Sequence, residues 1–126
     1  MGLPAFTIDL SRVERFEDFI EAVNVGFVRD AGGEWNGNFD GLNDFMSWPE
    51  PESYELVLVG SKRCAHQLGH AEYERKLRAR LETCHPANCA RVEEERQRAA
   101  RGEGPTLFDA LLEIMSRDAN VKVILR

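Results

Sequence analysis

The sequence predicts an α/β fold: a small, mostly parallel three-stranded sheet packed with helices, in the order β-α-α-β-(α-α)-α-β. Three observations carry this prediction. Short β-prone runs occur at Ala5–Leu10, Tyr54–Val59 and Val121–Leu125. The segments between them place apolar residues at helical spacing. Capping and stop signals fall where those helices should begin and end. With 126 residues, 43% of them apolar, and no evident linker, residues 1–126 are expected to form one domain with a real core.

Ala5–Leu10 supplies the first strand. Ser11-Arg-Val-Glu14 then has the form of a capping box, with Ser11 as N-cap and Glu14 reaching back. Val13, Phe16, Phe19, Ile20, Val23 and Phe27 predict a first helix running to about residues 24–28. Asp30-Ala-Gly-Gly33 reads as a loop. The stretch EWNGNFDGLNDFMSW, residues 34–48, predicts a second helix with Asn38 as N-cap and Trp48-Pro49 as its stop. After the Pro49-Glu-Pro51 turn, YELVLV reads as a buried strand. Residues 65–83 suit a helix, His85-Pro-Ala-Asn88 breaks it, and 89–101 form a second, strongly charged piece. The polar composition of 64–104 suggests an insertion. Thr106 and Asp109 are spaced as a second capping box, ahead of the apolar stripe Leu107, Phe108, Leu111, Leu112 and Met115. VKVIL closes the chain as a β-branched strand.

The net charge of −6 is unevenly spread. Twelve carboxylates against three arginines in residues 1–55 leave −9 there and +3 in the remainder. An acidic half disfavours nucleic acid as a ligand and favours a basic partner reached by electrostatic steering. No secretory signal and no membrane-length apolar run are visible. Three cysteines, an odd number, argue against a disulfide framework and for a reducing compartment, so a cytoplasmic protein is expected.

The second helix is locally costly. Gly41 and Asn43 are weak helix formers, and Asp40 and Asp44 set like charges one turn apart. At about 100° per residue, Phe39, Leu42, Phe45 and Met46 share one face and belong to the core, while Asp40 and Asp44 stand together on the other. Three readings are open: solvated surface acids, paired catalytic or metal-binding carboxylates, or an acidic plug for a cationic pocket on another protein. No EF-hand or HExxH pattern accompanies the pair.

The run Trp35-Asn36-Gly37-Asn38-Phe39-Asp40-Gly41-Leu42-Asn43-Asp44 resembles the signature of the barstar family: aromatic–Gly–x–Asn–(aromatic or Leu)–Asp–Ala–Leu–x–Asp. The resemblance covers about residues 1–60 and 105–126. It implies a three-stranded parallel sheet with packed helices, and an intracellular inhibitor of a secreted, basic, guanyl-preferring microbial ribonuclease. In that family the second helix and the preceding loop plug the enzyme's active site. By position, Asp44 matches the acid in the scissile-phosphate pocket, Asp40 its neighbour at the rim, and Glu113 a third acid on the last helix. Gly41, Asn43, Asn38, Glu34 and Trp35 complete the expected partner-binding set. Several positions depart from the family. Asn36 replaces a glycine, a change that Asn can accept at positive φ. Gly41 replaces an alanine, Glu34 an aromatic contact and Asn43 a tryptophan; Trp35 or Trp48 is available for aromatic contact instead. Read without the resemblance, Glu113 is a surface acid placed to pair with Arg117 four residues on.

Cys64, His66, His70, Cys84, His85 and Cys89 are potential soft ligands, but their spacings match no standard zinc module. Buried thiols and solvent-facing imidazoles are expected, with no metal and no cofactor. The expectation is therefore a non-enzymatic inhibitor, monomeric or 1:1 with its ribonuclease, contacting neither nucleic acid nor membrane. The alternative is an immunity or regulatory protein for a different toxin. A carboxylate- or zinc-dependent hydrolase ranks third.

Overall fold

In the computed structural model, which describes residues 2–126, strands β1 (Ala5–Asp9), β2 (Tyr54–Val59) and β3 (Val121–Leu125) form one all-parallel sheet with β2 in the centre. Thr7 lies opposite Val57, and Val57 opposite Ile124. Parallel neighbours need long crossovers, and helices fill both. Helices α1 (Phe16–Val23) and α2 (Phe39–Phe45) lead from β1 to β2. Helices α3 (Ser61–Gln67), α4 (His70–Leu81), α5 (Pro86–Ala100) and α6 (Leu107–Met115) lead from β2 to β3. The central strand buries Tyr54, Leu56, Val57 and Leu58, as its unbroken apolar run requires. Among the described residues, no helix is long and apolar enough to cross a membrane.

The start of α1 differs from expectation. The Ser11 backbone N–H and hydroxyl both donate to Asp9 Oδ1, at 3.0 and 2.6 Å, so a local turn takes the hydroxyl that would have capped a helix. The helix begins five residues later. There Asp18 Oδ2 accepts from the N–H groups of Glu14 and Arg15, at 3.1 Å each. Val13 is core, but it sits in the loop before the helix. Beyond Val23 the helix widens into a π-helical turn, Asn24–Val28. The capping box of α6 is present: Asp109 N–H donates to Thr106 Oγ1 at 3.1 Å, and Thr106 N–H to Asp109 Oδ2 at 3.2 Å.

Residues 64–104 depart further from their reading. Three helices replace two, because the chain breaks at Leu68: its side chain is fully buried and its carbonyl accepts from Phe108 N–H at 2.9 Å. Leu68, Tyr73, Leu77, Val92 and Ala99 join the main hydrophobic cluster, so this polar segment completes the core. It also caps α1, since Glu72 Oε2 accepts from Phe16 N–H at 2.6 Å. Its few apolar residues suffice because α4 and α5 pack along each other and bury one stripe apiece.

The cysteines correct a second expectation. Cys84 and Cys89 form a disulfide across the α4–α5 turn, with Cα atoms 5.7 Å apart, while Cys64 stays free in the core. An odd count obliges one thiol to remain free but does not stop the other two from pairing. The count therefore carries no weight for a reducing compartment.

Candidate partner-binding surface

The loop before α2 is fixed from beneath by one buried amide. Asn24, in the π-helical turn, accepts from Trp35 N–H through Oδ1 at 2.7 Å and donates through Nδ2 to Trp35 carbonyl oxygen at 2.9 Å. The Trp35 indole packs edge-on to Phe16 and Phe19, and its Nε1 donates to Asn38 carbonyl oxygen at 2.7 Å. Gly37 follows at φ +98°, where a Cβ would lie 2.7 Å from Ile20 Cδ1; only glycine fits. The left-handed position is thus Gly37, and Asn36 has ordinary negative φ. The Asn36 side chain accepts from Asn38 N–H at 3.0 Å. Asn38 is the N-cap, its Oδ1 accepting from Gly41 N–H at 3.1 Å.

Helix α2 is held on its inner side. Leu42 and Met46 are buried, and Phe39 packs against Tyr73 of α4 with Lys76 Nζ 4.1 Å above its ring. Burial lowers the Lys76 ammonium pKa to about 8, with Arg80 adding to the shift and Glu95 opposing it. The Tyr54 hydroxyl donates to Met46 carbonyl oxygen at 2.6 Å and ties the far end of α2 to the sheet. Burial raises that phenol to about 12. The helix therefore has little freedom to move.

Its outer side is different. Asp40, Asn43 and Asp44 are exposed, and among the described residues neither aspartate's carboxylate takes part in a hydrogen bond or ion pair. Gly41 lies between them. A Cβ there would sit 3.6 Å from Trp35 Cδ1, an ordinary contact, so packing does not require glycine. Beside Asp44 a cleft of about 320 Å³ opens between α2 and α6, lined by Asn43, Asp44, Ser47, Ile114, Arg117 and Asp118.

The other expected acids are paired. Arg117 grips Glu113 with both arms, Nε to Oε1 at 2.9 Å and Nη2 to Oε2 at 2.8 Å. That pairing holds the Glu113 carboxyl below the usual range. Glu34 is likewise lowered by Arg29, whose Nε lies 2.8 Å from Oε1 and which also holds Glu21. Trp35 must be removed from the contact set: at 2% exposed it is core, whereas Trp48, stacked edge-on to Phe45 at 4.5 Å, is 50% exposed. The structure brings Asp40, Gly41, Asn43 and Asp44 onto one face with Glu113 on the adjoining helix, sets Trp35 beneath as a support, and leaves Asn38 exposed as the cap at the start of α2.

Asn24 gave no sequence signal, since a polar residue at the end of a predicted helix reads as exposed. The part of Phe39 in anchoring α2 was visible only as an apolar position. The soft ligands do not converge. His85 Nδ1 accepts from Ala87 N–H at 3.1 Å and caps α5, His70 Nε2 lies 2.9 Å from Gly104 carbonyl oxygen, and Cys64 is buried with its thiol pushed up to about 12. Among the described residues, no group of three or more His, Cys, Asp or Glu side chains is placed to hold a metal ion. A depression of about 550 Å³ beside β1 and α1 includes Asp9 and Asp18, whose carboxylates are already engaged in the local turn and the helix cap.

Fold and surface define a small α/β protein with a three-stranded parallel sheet and an acidic face on a short, rigidly held helix. The chain matches no family model, no curated protein and no solved structure in the comparisons made.

Proposed function

We propose that this protein is a barstar-like inhibitor of a secreted, basic, guanyl-preferring ribonuclease, acting by occlusion and protecting the cell that makes the enzyme. One observation carries the reading. Asp40 and Asp44 are exposed, unpaired and one turn apart, on a helix whose other side is anchored, with a glycine between them that packing does not need. Two like charges at this spacing oppose the helix, so their counter-charges are sought on a partner. Asp44 takes the place of an RNA phosphate among the enzyme's cations, and Asp40 engages basic groups at the rim. Gly41 lets the opposing surface approach closely. No bond is made or broken by this protein.

Titration of a small panel of basic guanyl-preferring ribonucleases, at low and high salt, tests the reading. Tight inhibition that weakens with salt is expected, and Asp44→Ala should weaken it by several kcal/mol, as at a hot spot, with the fold intact. Full inhibition by Asp44→Ala would remove the basis of the assignment. A second reading keeps the surface but directs it at a different basic toxin. It is favoured by the internal pairing of Glu113, which leaves two free acids where the resemblance implies three. Recovery of a bound toxin other than a ribonuclease from the native cell would select it.

A further inference from the structure

We infer that Arg117 is a built-in counter-ion that silences Glu113 in the free protein, limiting the working acids of the surface to Asp40 and Asp44 until a partner displaces it. This rests on the partner-binding reading above. Both oxygens of the Glu113 carboxylate are occupied, at 2.9 and 2.8 Å, by two nitrogens of one guanidinium. Arg117 also lines the cleft with Asp44 and Asp118, and the charge of Asp40 adds to the field that favours its charged form. One cation therefore sits on Glu113, within the field of Asp40 and in one cleft with Asp44 and Asp118, where a basic partner would otherwise bring its own.

Arg117 and Glu113 are both more than half exposed, so the pair is weakly held and can exchange. Exchange is selective. A partner arginine can reproduce the two-pronged contact that Glu113 gives up, whereas a lysine ammonium is a point charge and cannot. The surface thus accepts two cations of either kind over α2, and recruits Glu113 only for a guanidinium. A partner with a neutral or lysine-bearing surface opposite α6 would meet Arg117 as a like charge.

A double-mutant cycle of Glu113→Ala and Arg117→Ala, read as inhibition constant and association rate against a basic guanyl-preferring ribonuclease that the wild-type protein inhibits, tests this. Arg117→Ala should tighten inhibition roughly three- to tenfold at low salt and less at high salt. At high salt, where the Arg117 charge bared by the substitution is screened, Glu113→Ala alone should change it less than about twofold, yet cost at least about threefold in the Arg117→Ala background. In the free protein, carboxyl titration followed by NMR should show Glu113 returning toward the ordinary glutamate range in Arg117→Ala. Weaker or unchanged inhibition by Arg117→Ala, or the same cost for Glu113→Ala in both backgrounds, would overturn the inference and leave the inhibitor reading standing. If no ribonuclease in the panel is inhibited by the wild-type protein, both fail together.

Discussion

Two surfaces of this protein treat charge in opposite ways. On the α4–α5 hairpin, most acids and bases are matched: Arg75 joins Glu72 and Glu17, Arg96 joins Glu74 and Glu93, and Arg78 and Arg91 hold Glu74 and Glu95. On α2, two aspartates stand unmatched beside a glycine. Exposed pairs stabilise little, so the hairpin network is mainly the neutral state of a solvated surface. Against it, the bare acids of α2 stand out, and Asp44, in the last turn of the helix, is the one that local stability does not explain. The contrast locates function better than total charge does, because most charges on the hairpin are paired, whereas neither charge on α2 is.

The largest test of the contrast lies under α2. Asn24→Ala would strand the buried N–H and carbonyl of Trp35 and should cost about 2–4 kcal/mol in chemical denaturation. It should also loosen the loop that presents Asp40 and Asp44, and so weaken partner binding without touching the contact surface. A smaller effect is expected on the hairpin. Glu72→Ala removes the cap on Phe16 N–H and should cost about 1–2 kcal/mol at pH 7.

The Glu72 carboxyl is lowered, first by Arg75, against burial and with help from Phe16 N–H. Its contribution is thus present above the unfolded-state pKa and lost as pH falls through the depressed folded value. The wild-type and variant stability curves should converge in acid. Lys76 gives the alkaline counterpart. Its folded pKa of about 8 lies below the ordinary lysine value of 10.5, so the ammonium is penalised in the folded state below pH 8. Stability should rise with pH between these values, and Lys76→Met should flatten that rise in denaturation series from pH 7 to 11. The smallest change is at the surface itself: Gly41→Ala should stabilise the protein by about 0.5–1 kcal/mol, since no backbone or packing demand opposes it. The added methyl should weaken partner binding if close approach is what the glycine provides.

Much of this organisation was legible in the sequence, for identifiable reasons. β2 and β3 read directly because YELVLV and VKVIL are dense in β-branched and apolar residues. Asn38 and Thr106 read as caps because their partners lie within three residues. Asp40 and Asp44 read as a pair because helical spacing fixes which side chains share a face. What escaped depends on contacts distant in sequence. Ser11 lost its cap role to Asp9, and the start of α1 is capped by Glu72, 56 residues away. The α3–α4 break follows from Leu68 entering the core and Phe108 docking on its carbonyl. Cys84 and Cys89 meet because a helix begins between them. Trp35 was offered as a contact because an aromatic residue beside charged ones gives no sign of which side it faces.

The most direct test is to measure stability and inhibition together on Asp40→Asn/Asp44→Asn, against a basic ribonuclease that the wild-type protein inhibits. Neither carboxylate is hydrogen-bonded or ion-paired within the chain, and the place of Asp40 in the first turn of α2 offsets its repulsion with Asp44, so thermal stability should change by less than about 3 °C. Inhibition should fall by more than about a hundredfold. Lost stability with retained inhibition would contradict the account, because the acids would then serve the fold and not a partner.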